Sequence, residues 1–212
     1  MQTGGRMKSN GRKRPGRNIG TRPLRETIRI VCEGETEKKY FLSMKKECSI
    51  RIDLKPELNA GKTKPSQILN TALRLKQDSG QSDVCCVYDL DVISNDDSEK
   101  KRYREYRKKA EDNGVFVFES FPCFEIWILL HFTDACGSDT DCSDLIRNHL
   151  RKYIPEYEKG SDGLYERLKA NQKKAIEKAE KQKRNAGTIN EKEMYSRPFT
   201  DVHELVQKLL QK

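Results

Sequence analysis

The chain has 212 residues, enough for one ordinary domain or a domain with an appendage, and charged residues (35%) are about as frequent as apolar residues (34%). Its 42 Lys and Arg residues exceed its 33 Asp and Glu residues, which gives a net charge of +9. No apolar run approaches the ~20 residues of a membrane-spanning helix, and no signal-peptide core follows the basic start. The composition therefore argues against a membrane protein, and we expect a cytoplasmic one.

The excess positive charge is concentrated in residues 1–25. This segment contains eight basic residues and no acid, so the rest of the chain has 34 basic and 33 acidic residues. It is rich in Gly, Asn and Ser and lacks apolar periodicity, which predicts a disordered basic tail. We expect the tail to contact nucleic-acid phosphates, although a terminus that only solubilises the protein has the same composition. The residues assigned to this contact are Arg12, Lys13, Arg14 and Arg17.

Strand-like and helix-like patterns alternate along the first 132 residues. Short β-branched or apolar segments predict strands at 27–32, 50–56, 83–88 and 115–119. Apolar stripes at helical spacing predict helices at 37–47, 66–77, 98–113 and 124–132. Thr36 is the predicted N-cap of the first helix. Because strands and helices alternate, we expect an α/β domain over residues 26–135, with a parallel sheet flanked by helices.

The last third of the chain has only helical patterns, at 143–153, 164–183 and 201–210. These segments contain little apolar material of their own. We therefore expect residues 136–212 to form a helical extension that packs on the sheet domain.

The chain has seven cysteines, an odd number, and three of them lie in strand-like segments. Buried free thiols in a reducing compartment are the expected explanation. Cys136 and Cys142, with His131 upstream, lack the spacing of a zinc knuckle, so we do not expect a metal there.

Acidic residues stand where two of the predicted strands end. Glu33 follows the first strand, and Asp89 and Asp91 end the third. Functional groups gather beyond the carboxyl ends of parallel strands, so these acids meet if the two strands are neighbours. Glu37, one helical turn after Glu33, can face the same cleft.

Carboxylates at close range repel each other strongly unless a cation is present. An all-oxygen site suits Mg²⁺ or Mn²⁺. Such ions activate water and neutralise phosphate charge in hydrolysis or phosphoryl transfer. The alternative is that these residues are solvated loop acids.

Glu125 is the only charged residue between Ser120 and His131, in the segment SFPCFEIWILLHF. An acid in so apolar a helix needs a metal, a hydrogen bond or a basic partner, although it can also interact with the helix dipole. We include it as a candidate metal ligand. Phe124 and Trp127 are predicted core residues, and His131 is predicted to form a structural hydrogen bond.

These motifs resemble known families. Glu33-Gly34, the Asp89-x-Asp91 pair and the β-α alternation between them look like the Toprim domain of topoisomerases, primases and several nucleases. Six segments in order resemble the RloB/AbiLii family more closely, from about residue 26 to the C-terminus. They are VCEGETEKKYF, VYDLD, SFPCFEIWILLHF, YEKG at 157–160, KKAIEKAE at 173–180 and PFTDVHELVQKLL at 198–210.

The resemblance implies a Toprim/Rossmann-like sheet with a C-terminal helical extension, in a protein of prokaryotic restriction or abortive-phage-infection loci. Such proteins are typically encoded beside an ABC- or SMC-type ATPase. The chain has no room for the ATPase domain that related nucleases carry fused, so we expect a separate ATPase subunit.

Related nucleases of the overcoming-lysogenization-defect type arrange a Glu-Gly-x-x-Glu start, an Asp-x-Asp pair, a later Glu and a Lys around two divalent ions. The matching residues here are Glu33, Glu37, Asp89, Asp91, Glu125 and Lys159. The alternative for Lys159 is a solvated surface charge.

The sequence thus predicts a metal-dependent nuclease that hydrolyses DNA or RNA with Mg²⁺ or Mn²⁺. The candidate catalytic residues are Glu33, Asp89, Asp91 and Lys159, and the candidate metal ligands are Glu33, Glu37, Asp89, Asp91 and Glu125. The main alternative is a regulatory subunit that binds nucleic acid or a partner without cleaving, which the nearly neutral body favours. A primase- or topoisomerase-like transferase is a third reading, although no Tyr is marked as a nucleophile. The oligomeric state is left open.

Overall fold

The structure is a computed structural model that describes residues 1, 27–55, 64–79, 82–91, 97–135, 141–186 and 197–211. The predicted nucleic-acid contacts of the tail, Arg12, Lys13, Arg14 and Arg17, lie outside these residues. Among the helices described, none combines the length and the apolar character needed to cross a bilayer.

Five strands form a single sheet in the order β2-β1-β3-β4-β5. They are β1 (Ile28–Cys32), β2 (Ile52–Lys55), β3 (Val84–Asp89), β4 (Val115–Phe121) and β5 (Phe199–Thr200). The first four strands are parallel to one another, and β5 is antiparallel to β4. The sheet confirms the predicted α/β class, with the addition of one short antiparallel edge strand.

The described helices flank this sheet. They are α1 (Glu35–Cys48), α2 (Pro65–Ser79), α3 (Asp97–Asp112), α4 (Glu125–Leu130), α5 (Cys142–Asn148), α6 (Leu164–Leu168), α7 (Gln172–Ala186) and α8 (Val202–Leu210). The single helix predicted at 164–183 is wrong, because a 3-10 turn at Lys169–Asn171 separates α6 from α7. The helix predicted at 143–153 likewise ends at Asn148 and is followed by a 3-10 turn at Leu150–Lys152.

Local chemistry explains several helix ends. The first turn of α1 carries Glu35 and Glu37, and its last turn carries Lys45 and Lys46, which is the favourable arrangement for the helix dipole. Gly114 follows α3 with φ +72°, the left-handed conformation that glycine adopts at a helix C-terminus.

Alternate side chains of the central strands enter two apolar layers, so the whole of Val84–Tyr88 is buried. One layer joins β1 and β3 to α1, α4 and the C-terminal helices, including Leu205 of α8. The other layer lies under α2 and α3. The C-terminal segment therefore shares the core of the sheet and contributes β5 to it.

The strand order creates a switch point between β1 and β3. The chain passes from β1 to β2 on one side and then returns to β3 on the other, so β1 and β3 are neighbours, with Cys32 paired to Val87. The carboxyl ends of both strands therefore meet at one edge of the sheet, where α/β proteins bind ligands.

Candidate metal centre

Glu33 and Asp89 meet at this switch point. The Glu33 side chain accepts a hydrogen bond from the backbone N–H of Asp89 through Oε2, at 3.0 Å. The backbone N–H of Glu33 in turn donates to the carbonyl of Val87, at 3.2 Å. Pairing between β1 and β3 thus helps to orient the Glu33 carboxylate.

Asp89 has an unsatisfied oxygen at the centre of the site. Its Oδ1 is buried and has no hydrogen-bond partner. Burial raises the pKa of Asp89 well above its usual value, and the nearby carboxylates of Glu37, Glu33, Glu125 and Asp91 raise it further, in that order. A buried polar atom without a partner is costly, so this oxygen favours a ligand that supplies positive charge.

Glu37 reaches the cluster from the first turn of α1 and is 3% exposed. Burial, followed by the charges of Glu125 and Glu33, raises its pKa to about 8. Its Oε2 lies only 2.8 Å from the position that a Cβ on Gly34 would occupy. Glycine at position 34 is therefore what lets this carboxylate lie against the backbone.

The pKa of Glu33 is also raised, to about 7. Burial is the largest cause, the hydrogen bond from Asp89 opposes it, and the charge of Asp91 adds to it. Asp91 itself is exposed, at the outer side of the cluster, and residues 92–96 beyond it are outside the described part of the chain.

Glu125 enters from the first turn of α4 and is 1% exposed. It has the partners that its apolar helix requires. The hydroxyl of Tyr157 donates to its Oε1 at 2.8 Å, and the Nζ of Lys159 lies 3.8 Å from its Oε2.

Lys159 belongs to the same cluster, although its side chain is 57% exposed. Partial burial alone would lower its pKa, but the charges of Glu125, Asp89, Glu37 and Asp91 together raise it. The structure therefore brings the six sequence-predicted residues of the body together: Glu33, Glu37, Asp89, Asp91, Glu125 and Lys159.

A loop at 157–160 holds the lysine in place. The backbone N–H of Gly160 donates to Thr36 Oγ1 at 2.9 Å. Gly160 has φ +73°, and an added Cβ would lie 3.3 Å from the Cβ of Glu35. The prediction that Thr36 caps α1 is wrong, because Gly34 is at the N-cap and the Thr36 hydroxyl is used by this loop.

Tyr157, Thr36 and Gly160 contact the acidic cluster or its supporting loop, and the sequence did not predict a role for them at this site. The YEKG segment was visible as a motif, yet nothing in its spacing shows that it folds back onto α1 and α4. The pairs Tyr157–Glu125 and Gly160–Thr36 are separated by 32 and 124 residues.

Two cysteines lie beside Glu125. Cys123 and Cys142 form a disulfide, and the Sγ of Cys142 is 3.5 Å from Glu125 Oε2. The prediction that the cysteines are free thiols is therefore wrong for this pair, because folding brings the start of α5 against the β4–α4 junction. Cys32, Cys48, Cys85 and Cys86 are not part of a disulfide. Cys136 lies outside the described residues.

The predicted roles of the apolar helix are confirmed. Phe124 and Trp127 are buried core residues. His131 is buried, its Nδ1 lies 2.9 Å from the carbonyl of Trp127, and burial lowers its pKa to about 4. It is therefore neutral at pH 7 and serves the packing of α4.

The donor set fits a hard divalent ion, because five carboxylates converge and Asp89 Oδ1 has no partner. The carboxylates are not tightly gathered. Among the described residues, the group with three ligand atoms all within 4.8 Å is Cys123, Glu125 and Cys142, and its two sulfurs are joined in the disulfide. Binding one ion through three of the carboxylates therefore requires side-chain rotation.

Comparison with protein families gives one assignment. The sequence model of the RloB-like protein family matches residues 28–209, which includes every residue of the acidic cluster. Comparisons with curated proteins and with solved structures give no match. Since the matched region covers most of the chain, the protein belongs to the RloB-like protein family.

Proposed function

We propose that this protein is a metal-dependent nuclease of the Toprim type that hydrolyses phosphodiester bonds in DNA or RNA. The observation that carries the proposal is the buried Oδ1 of Asp89, which has no hydrogen-bond partner and lies among four other carboxylates at the switch point of the sheet. A buried carboxylate beside other carboxylates is destabilised by their negative charge, and a divalent ion would offset that repulsion.

Each acid has a position that suits ligation. Glu33, Asp89 and Asp91 would hold one ion, and Glu37 and Glu125 would help to hold a second. Mg²⁺ or Mn²⁺ bound there would activate water and offset the negative charge of the phosphate. The hydrogen bonds to Glu33 and Glu125 hold these two carboxylates in orientation before the ion arrives.

Lys159 would act on the substrate itself. Its charge is retained at neutral pH because the surrounding carboxylates raise its pKa. Its exposed side chain can reach a phosphate bound at the edge of the cluster, where it would stabilise the leaving oxygen or the charge of the transition state.

The cellular role is proposed from family membership. We propose that the protein acts in phage defence together with a separate ABC- or SMC-type ATPase, which would regulate its activity. The basic tail, with Arg12, Lys13, Arg14 and Arg17, would add affinity for nucleic acid without reading sequence.

Cleavage of labelled DNA and RNA by the purified protein with Mn²⁺ tests the activity. We expect Asp89→Asn and Asp91→Asn to lower the rate by at least about 100-fold, because each removes a ligand charge from the site. The matched control is Asp112→Asn, which changes an exposed aspartate at the end of α3, on the other face of the sheet.

Cleavage that survives both substitutions would contradict the proposal. Mn²⁺ binding without cleavage, even with the partner ATPase present, would instead support a non-cleaving regulatory subunit.

A further inference from the structure

A pair of aromatic rings is stacked at the surface near the acidic cluster. Phe132 follows α4 and Tyr153 follows the 3-10 turn at Leu150–Lys152. Their ring centroids are 5.0 Å apart and their planes differ by 10°. The other described aromatic pairs cross at 65° to 87°. Tyr153 is 46% exposed, so a large part of its surface remains accessible to solvent while its ring stacks on Phe132.

One exposed lysine adjoins Tyr153 in the chain, and a second lies near the residue that precedes Phe132. Lys152 is exposed and directly precedes Tyr153 in the chain. Lys178 of α7 lies close enough to His131, the neighbour of Phe132, that its charge contributes to that residue's lowered pKa. Within the described part of the chain, neither lysine has an acidic partner, although exposed Asp134 lies two residues beyond Phe132.

The stack is connected to the acidic cluster. Phe132 is seven residues after Glu125 along α4 and its final turn, a rise of about 10 Å. Arg151 donates to the carbonyl of Tyr157 at 3.4 Å, and Tyr157 donates to Glu125. A strand bound at the acids would reach the rings within a few nucleotides.

We infer that the Phe132–Tyr153 stack is a base-stacking platform that holds a single-stranded nucleic acid beside the acidic cluster. An open aromatic face with nearby cations is the combination that binds single strands, since unpaired bases stack on the ring and lysines contact phosphates. Bases inside a duplex have no free face, so the platform selects unpaired nucleotides. The inference rests on the proposed function, for which it supplies a substrate class common to DNA and RNA.

Fluorescence anisotropy with a labelled 20-nucleotide single strand, as DNA and as RNA, tests the platform in EDTA, so that nothing is cleaved. We expect Tyr153→Ala to weaken binding about tenfold or more and Tyr153→Trp to retain it. The matched control is Phe116→Ala. Phe116 is 40% exposed and has Lys208 3.9 Å from its ring centroid, but it lies on β4 away from the acids.

The salt dependence gives a second readout. Replacing Lys152 with Gln should reduce the slope of log affinity against log salt by about one, because one phosphate contact is lost. An unchanged slope would contradict a phosphate contact by this lysine.

Three results would overturn the inference: no binding of single strands by the wild type, no loss in Tyr153→Ala, or an equal loss with a duplex of the same sequence. The relative affinities for the DNA strand and the RNA strand show which of the two nucleic acids the platform prefers.

Calorimetric titration of Tyr153→Ala with Mn²⁺ should match that of the wild type. If the wild type binds no Mn²⁺ yet single-strand binding depends on Tyr153, the nuclease proposal fails and the platform stands.

Discussion

Two acids on neighbouring strands show how differently this protein treats buried carboxylates. Glu119 on β4 is fully buried, and its Oε1 accepts hydrogen bonds from Tyr88, Tyr103 and Arg107, the last also an ion pair at 2.7 Å. Asp89 on β3 has a buried oxygen with no partner at all. Glu119 therefore has Arg107 as an ion-pair partner, although its Oε2 also lacks a hydrogen-bond partner, whereas the charges that shift the pKa of Asp89 are all those of carboxylates.

The raised pKa of Glu37 makes the free energy of unfolding depend on pH. Its pKa of about 8 exceeds the usual 4.5, so the folded protein binds more protons than the unfolded chain between these values. The carboxyl therefore contributes stability that is fully present below pH 4.5 and is lost as pH rises through about 8. In EDTA, Glu37→Gln should gain free energy of unfolding relative to the wild type across this window, by at least about 1 kcal/mol at pH 8.

Urea denaturation at pH 5, 6, 7 and 8 measures this difference. His131, whose lowered pKa acts in the opposite direction between about 4 and 6.5, is present in both proteins and cancels. Glu35→Gln is the matched control, since Glu35 is exposed on the same turn of α1. Parallel curves for Glu37→Gln and the wild type would contradict the assignment.

At the level of helices and loops, the loop at 157–160 connects α1 to α4 at the site through hydrogen bonds. It touches α1 through Thr36 and Gly160, and it touches α4 through Tyr157 and Glu125. The disulfide between Cys123 and Cys142 adds a covalent link from α5 to the same junction. The position of Lys159 therefore depends on contacts made by residues that carry no charge.

Replacing Tyr157 with Phe should weaken Mn²⁺ binding about tenfold, because Glu125 loses the hydroxyl that orients it while the buried ring is kept. Calorimetric titration measures the change. Tyr165→Phe is the matched control, since the hydroxyl of Tyr165 contacts Cys48 Sγ, away from the acids. Equal affinities for Tyr157→Phe and the wild type, at equal thermal stability, would show that this hydroxyl does not position Glu125.

Across the whole molecule, the parts that sequence could predict are those set by local pattern. The run VCCVY predicted a strand buried on both faces, and the positions of Glu33 and Asp89 at strand ends placed them at one edge of the sheet. The contacts that pattern could not predict join distant residues. Strand β5 has two residues and is recognisable only by its pairing with β4, where Ser120 and Thr200 hydroxyls meet 80 residues apart in sequence. The spacing of the cysteines does not show that Cys123 and Cys142 form a disulfide. The loop at 157–160 likewise takes its position from contacts with α1 and α4, which are distant from it in sequence.

Calorimetric titration with Mn²⁺ measures whether the acids at the switch point form a divalent-ion site, and it needs no substrate. The wild type should bind Mn²⁺ in the micromolar range, and Asp89→Asn should lose this binding. The same substitution should raise the thermal stability in EDTA, because a neutral amide replaces a carboxyl group whose ionised form is destabilised by burial and by the nearby carboxylates. We therefore expect Asp89→Asn to lose Mn²⁺ binding and to gain stability in the absence of metal. Mn²⁺ binding that is equal in the two proteins, or absent from both, would show that these acids do not form a divalent-ion site.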